Sequence, residues 1–253
     1  RTLEGPELAP GVLEQLATSL AERDVEFVVA TGDITDNGLG YMRFAKAFDR
    51  WISTGRLLVV PGNHDLTSLG LTKMAAAHKH EDYEQFSRIA MGPSRNRSFV
   101  IDAGGLVVLG LDSSGKDENA VVLENAIGRV DEQSLEDISQ SLRAIRGSGR
   151  KPLTMLLMHH HLEVPRQSVV EFGAISSSAL PLLQLSNAAM VARFCADNGV
   201  NVVLHGHKHV SYAIPAETVP SATILSAPST TLSRRYHIVT AAGDRVSREE
   251  IRY

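Results

Sequence analysis

The stretch EFVVATGDITD, residues 26–36, begins as a short apolar run and turns abruptly into glycine, carboxylate and threonine. Residues 26–30 have strand length, and Gly32 permits a sharp turn that carries Asp33 off the strand end. The same pattern recurs as LLVVPGNHD at 57–65, LTMLLMHHH at 153–161 and NVVLHGHKH at 201–209. Four apolar strands therefore end in carboxylate, amide or imidazole groups. In open α/β sheets, sites gather at the carboxyl ends of strands. Seven of the ten histidines (His64, His159, His160, His161, His205, His207 and His209) fall in these segments. Imidazole and carboxylate together suit zinc, manganese or iron, and a carboxylate can bridge two ions. A neutral side-chain amide such as Asn63 is an uncommon ligand, so its presence in the cluster is discriminating.

The surrounding chain supplies the frame. Leu13, Leu16 and Leu20 repeat at helical spacing, as do Phe44, Phe48 and Ile52. Leu135, Ile138, Leu142 and Ile145 do so behind an N-cap at Asp131, and residues 187–197 read as a helix ended by Asn198 and Gly199. Apolar runs at 26–30, 57–60, 99–102, 107–111, 153–158 and 201–204 read as strands, most of them buried on both faces. Residues 237–240 and 246–253 flank a Gly243–Asp244 turn and predict a hairpin. Alternating strands and helices imply an α/β fold. Residues 168–186 read as a long irregular insertion near the site.

Composition narrows the function classes. With 253 residues, 43% hydrophobic and 21% charged, the chain has the make-up of a globular protein whose core needs no disulfide staples. The net charge is -4, and the pairs Arg95/Arg97 and Arg234/Arg235 are too sparse for a nucleic-acid footprint. No apolar run reaches the roughly 18 residues of a membrane span. The single cysteine, Cys195, cannot form an intrachain bridge and favours a reducing, cytoplasmic setting.

The GDxxD segment at Gly32–Asp36, the GNHD segment at Gly62–Asp65, the strand-end histidine His159 and the GHxH segment at Gly206–His209 resemble the calcineurin-like metallophosphoesterase family, in order and in spacing. GDxxD alone would be weak; the set is specific and covers roughly residues 24–210. The MHHH segment and the chain length look closest to bacterial class III cyclic nucleotide phosphodiesterases. The resemblance implies a four-layer α/β/β/α sandwich of two mixed sheets flanked by helices, in a single domain over 1–253. It implies two divalent or trivalent ions (Mn, Fe or Zn), bridged by Asp33, with Asn63, His159 and His207 on one and His209 on the other. His64 would contact the phosphate or protonate the leaving oxygen, oriented by Asp36, and a metal-bridging hydroxide would attack phosphorus. The implied substrate is a small-molecule phosphodiester, a cyclic nucleotide among the candidates. The rival substrate is a phosphomonoester of nucleotides, sugars or phosphoproteins, and the rival of another class is a non-catalytic scaffold with a degenerate metal site.

Residue-level readings accompany that assignment. Successive strand residues face opposite sides, so His159, His160 and His161 cannot all bind one ion. His160 is a candidate for the substrate pocket and His161 for a supporting position. His205 reads as structural, Cys195 as core, and Asp112 as a structural hydrogen-bonding group. His78, Lys79 and His80 read as solvated helix surface. One departure stands out: the family's first motif, DxH, does not precede Asp33. The expectation is that it lies upstream of Arg1. A chain without it would hold the second ion with Asp33 and His209 alone.

Overall fold

The structure is a computed structural model that describes residues 11–35, 40–66, 73–115, 127–164, 184–242 and 245–253, with side chains left out for 73–77. Its main sheet has six strands in the order β3-β4-β5-β6-β8-β7. These are β3 (Phe99–Ala103), β4 (Leu106–Gly110), β5 (Leu153–Leu157), β6 (Val202–His205), β7 (Tyr212–Pro215) and β8 (Thr223–Ser226). The four inner strands run parallel, and β3 and β7 close the edges antiparallel. Two smaller pairings accompany it: β1 (Val28–Ala30) with β2 (Leu57–Val59), parallel, and β9 (Arg235–Ala242) with β10 (Arg245–Arg252), antiparallel.

Side-chain alternation along the main sheet divides the interior in two. Val108, Met155, Leu157, Val202, Leu204 and Leu225 face one way, into an apolar cluster shared with Leu57–Val59, Tyr236 and Ile251. Helices α1 (Val12–Ala21), α2 (Tyr41–Ala47), α3 (Asp49–Ile52) and α5 (Lys73–Met91) contribute to the same cluster. Val107, Leu109, Leu156, Met158, Val203 and Ile224 face the other way, onto Leu135, Ile138 and Leu142 of α6 (Glu132–Arg146) and Val191, Phe194 and Cys195 of α7 (Ala188–Asp197). The layers are thus helix, six-stranded sheet, smaller strand pairs, helix. This is the expected α/β/β/α order. The second sheet is present among the described residues as two separate pairs.

Local chemistry accounts for the boundaries. Asp131 caps α6 by accepting the Ser134 N–H at 3.1 Å. Burial of Leu135, Ile138 and Leu142 stabilises that helix by about 1.5–3 kcal/mol per side chain. Asn187 stands at the N-cap of α7, and Gly199 follows it in the left-handed region, φ 51°. The helix expected through Phe44, Phe48 and Ile52 is instead two short ones, interrupted at Phe48 with φ -103°. There Phe44 and Phe48 stack at 4.4 Å and Trp51 turns into the core. Strands β7 and β8 were not anticipated from the sequence. The insertion at 168–186 falls mostly, and the 243–244 turn wholly, outside the described residues. No described helix is long and apolar enough to cross a membrane.

Candidate metal centre

The carboxyl ends of β1, β2, β5 and β6 open at a common point. Loop 31–35 follows β1. Residues 60–62 follow β2 into the short helix α4 (Asn63–Leu66), His159 lies two residues beyond β5, and loop 206–211 follows β6. Gly32 and Gly62 let the first two loops touch. A Cβ on Gly62 would lie 2.2 Å from Asp33 Oδ1, and one on Gly32, where φ is +92°, would lie 2.5 Å from the Gly62 nitrogen.

Around His159 Nε2 stand Asn63 Oδ1 at 3.0 Å, His207 Nδ1 at 3.1 Å and Asp33 Oδ2 at 3.3 Å. His159 Nδ1 donates to the Thr31 carbonyl at 2.6 Å. A carbonyl can only accept, so this bond places the proton on Nδ1 and leaves the Nε2 lone pair facing the other three atoms. Bonds of about 2.0–2.2 Å to one ion set neighbouring donor atoms roughly 3 Å apart, which is the spacing seen here. The set therefore fits a metal ion. Burial alone would raise the Asp33 carboxyl, but His159 and His64 outweigh it and hold it well below the ordinary carboxylate range. Burial likewise opposes charge on His159, yet Asp33 lifts that imidazole above its usual value. Burial and the neighbouring imidazoles push His207 well below its usual value.

Backbone strain marks the same residues. The non-glycine residues described with positive φ are Asp33 (54°), His207 (70°), His209 (59°) and Arg234 (54°). Three of the four are nominated ligands. Such conformations cost of order 1–3 kcal/mol each and cluster at functional sites. His209 is exposed at the end of the loop that carries His207. Asp36 lies outside the described residues.

His64 is half-buried on α4, and its backbone is held on both sides. Its N–H donates to Asp33 Oδ1 at 3.0 Å, and its carbonyl accepts from Lys79 Nζ at 2.7 Å. Lys79 is buried, contrary to the solvated surface expected of it, whereas His78 is exposed. The signal was available: Lys79, Tyr83, Phe86 and Ala90 share a helical face, and all four are buried. His80 packs its Nδ1 on Arg97 at 3.0 Å.

His160 is fully buried, and its ligand atom lies within 4.8 Å of those of His159 and His207. Ser113 Oγ accepts the N–H of His159 at 3.2 Å and of His160 at 3.1 Å. Both hydroxyl lone pairs are then taken, so its hydrogen goes to His160 Nδ1 at 2.9 Å. That leaves Nε2 of His160 as an N–H donor rather than a metal lone pair. Behind the centre, Tyr212 Oη meets His161 Nδ1 at 2.8 Å and His205 Nε2 at 3.3 Å. Burial pushes His205 down to about 3 and His161 well below its usual value. Asp112 accepts the Ser114 N–H at 2.8 Å. Ser113 and Asp65, at the end of the GNHD segment, were given no part in the sequence reading.

The family model for calcineurin-like phosphoesterase matches residues 9–211. A dimetal phosphatase from Danio rerio superposes with a TM-score of 0.61 at 14% identity, over 94% of this chain and 85% of that one. The sulfate thiohydrolase SoxB from Thermus thermophilus superposes with a TM-score of 0.51 at 14% identity, over 95% of this chain and 42% of that one. This chain therefore spans less than half of that second protein, and at such identities the likeness is one of fold. A search of curated proteins found no match. The family match runs from residue 9, just ahead of α1, through all four strand-end segments, so the chain belongs to the calcineurin-like phosphoesterase family and is a metal-dependent hydrolase of phosphoesters.

Proposed function

We propose that this chain hydrolyses a phosphodiester, with a cyclic nucleotide as the leading candidate, at the centre formed by Asp33, Asn63, His159 and His207. The observation that carries the reading is the convergence of three donor atoms on His159 Nε2 at 3.0–3.3 Å, with Nδ1 locked by the Thr31 carbonyl. These four residues would hold one ion, and Asp33 with His209 would contribute to a second. Bound metal supplies Lewis acidity toward the phosphoryl oxygens and a water acidified enough to be a nucleophile at neutral pH.

The chain's own groups supply the rest. His64, clamped between Asp33 Oδ1 and Lys79, is the proton donor to the leaving oxygen, and Asp36 is the carboxylate that orients it. His160, held by Ser113 as an N–H donor, is suited to a phosphate oxygen or a bound water. The choice of a diester rests on the likeness of the MHHH segment to class III phosphodiesterases.

Purified protein with added Mn²⁺ is to be assayed against bis-p-nitrophenyl phosphate, p-nitrophenyl phosphate and cyclic nucleotides. Faster turnover of diesters is expected. Preference for the monoester would make the chain a phosphomonoesterase. Metal uptake without hydrolysis of any of these would favour a scaffold.

A further inference from the structure

Asp65 is fully buried and lies between the two loops that carry Asp33 and Asn63. Its Oδ1 accepts the Thr35 N–H at 3.1 Å and the Tyr41 hydroxyl at 3.0 Å. Its Oδ2 accepts the Ile34 N–H at 3.2 Å and the Gly62 N–H at 3.0 Å. A carboxylate offers about four lone-pair sites, and all four are filled. Two of the donors immediately follow Asp33 and one immediately precedes Asn63. One side chain thus ties together two loops that are otherwise joined, past the β1–β2 pairing, by the Val60 N–H to Ala30 carbonyl bond and the His64 N–H to Asp33 Oδ1 bond. It also holds the turn in which Asp33 keeps its left-handed φ of 54°.

We propose that Asp65 is the positioning residue of the metal centre: a buried carboxylate clip, tensioned from α2 by Tyr41, that sets the distance between Asp33 and Asn63. The inference rests on the metal reading of the site given above. No other side chain of similar size reproduces the clip. Asparagine keeps one acceptor oxygen but turns an NH₂ group toward at least one backbone N–H, which loses its acceptor and meets another donor. Phenylalanine at 41 removes one donor and leaves the carboxylate charge in place. Residues that orient metal ligands typically matter by 10–100-fold in metal affinity.

The experiment is calorimetric titration of the metal-free full chain with Mn²⁺, for the wild type, Asp65→Asn, Tyr41→Phe and Leu142→Ala. Folding is checked by circular dichroism and melting in EDTA. Leu142 lies in the other core, against α6, and serves as a variant destabilised at a distance. A loss of about 10–100-fold in Asp65→Asn, a smaller loss in Tyr41→Phe and little change in Leu142→Ala are expected. Wild-type affinity in a folded Asp65→Asn overturns the proposal. Loss in Asp65→Asn with none in Tyr41→Phe also overturns it, because charge and not position would then be the cause. Equal loss in Leu142→Ala overturns it in favour of general stability. If Asp65→Asn does not fold, Tyr41→Phe decides on the same criterion. A wild-type chain that takes up no Mn²⁺ would remove the metal reading and the clip together, whereas normal wild-type uptake with an indifferent Asp65 removes the clip alone.

Discussion

Asn63 and His64 are adjacent, yet the site separates their parts. Asn63 Oδ1 faces His159 Nε2, while His64 is tied to Asp33 through its backbone. His64→Ala is expected to keep its metal and lose about 10²–10⁴-fold in kcat, the usual range for general acid catalysis. Asn63→Ala is expected to lose metal. Elemental analysis of both proteins beside their turnover checks the pair, and metal loss from His64→Ala would show its role to be misassigned. Gly62→Ala tests the loop junction. The new methyl would meet Asp33 Oδ1 and its backbone nitrogen at 2.2 and 2.3 Å, so Asp33 must move. A fall in kcat/KM of about 10²-fold is expected, the scale set by roughly 1 Å of misplacement in an active site. The nominated ligands could be read because motif and strand end coincide. Ser113 and Asp65 could not, because their work is done on backbone N–H groups that only the folded loops bring within reach. Lys79 departs from the solvated surface expected of His78, Lys79 and His80 because it shares its helical face with Tyr83, Phe86 and Ala90, and that face packs inward.

At the scale of elements, apolar spacing recovered α1, α6 and α7 and the parallel strands β1, β2, β4, β5 and β6, and Asp131 announced the start of α6. Asp131→Ala is expected to cost about 1 kcal/mol of stability, read as a lower urea midpoint with unchanged slope, because the Ser134 N–H loses its acceptor. An unchanged midpoint would mean the cap contributes nothing. Strands β7 and β8 escaped the sequence reading for a physical reason. Each is only four residues long and β7 ends in Pro215; β8 owes its place to pairing with β6, and β7 pairs in turn with β8 alone. The break at Phe48 escaped because aromatic packing, not helix propensity, decides it.

For the whole molecule, the cluster of buried imidazoles sets the response to acid. His161, His205 and His207 are all held below the usual histidine value, chiefly by burial. Their neutral forms belong to the folded state, so below about pH 6.5 the unfolded chain binds protons that the folded chain refuses. The stability they contribute is present above that pH and is lost as pH falls. His159 and Asp65 are shifted upward and oppose this. Asp65, raised to about 6 by burial, takes up a proton in the folded state as acid is added. The lowered imidazoles outnumber the two raised groups, so stability is expected to fall as pH drops from 6 toward 4. Urea unfolding in EDTA across that window measures it, and flat or rising stability toward pH 4 would contradict the balance.

The left-handed turns at Asp33, His207 and His209 have a consequence for anyone breeding this chain for heat tolerance. Glycine adopts those turns without strain and asparagine with less, so either replacement relaxes on the order of 1 kcal/mol of backbone. A library sorted only on survival at high temperature would therefore drift toward glycine and asparagine at 33, 207 and 209. The hardiest survivors would be those that had traded away their donors, and sorting on retained metal in the same round is what would keep the lineage chemically alive.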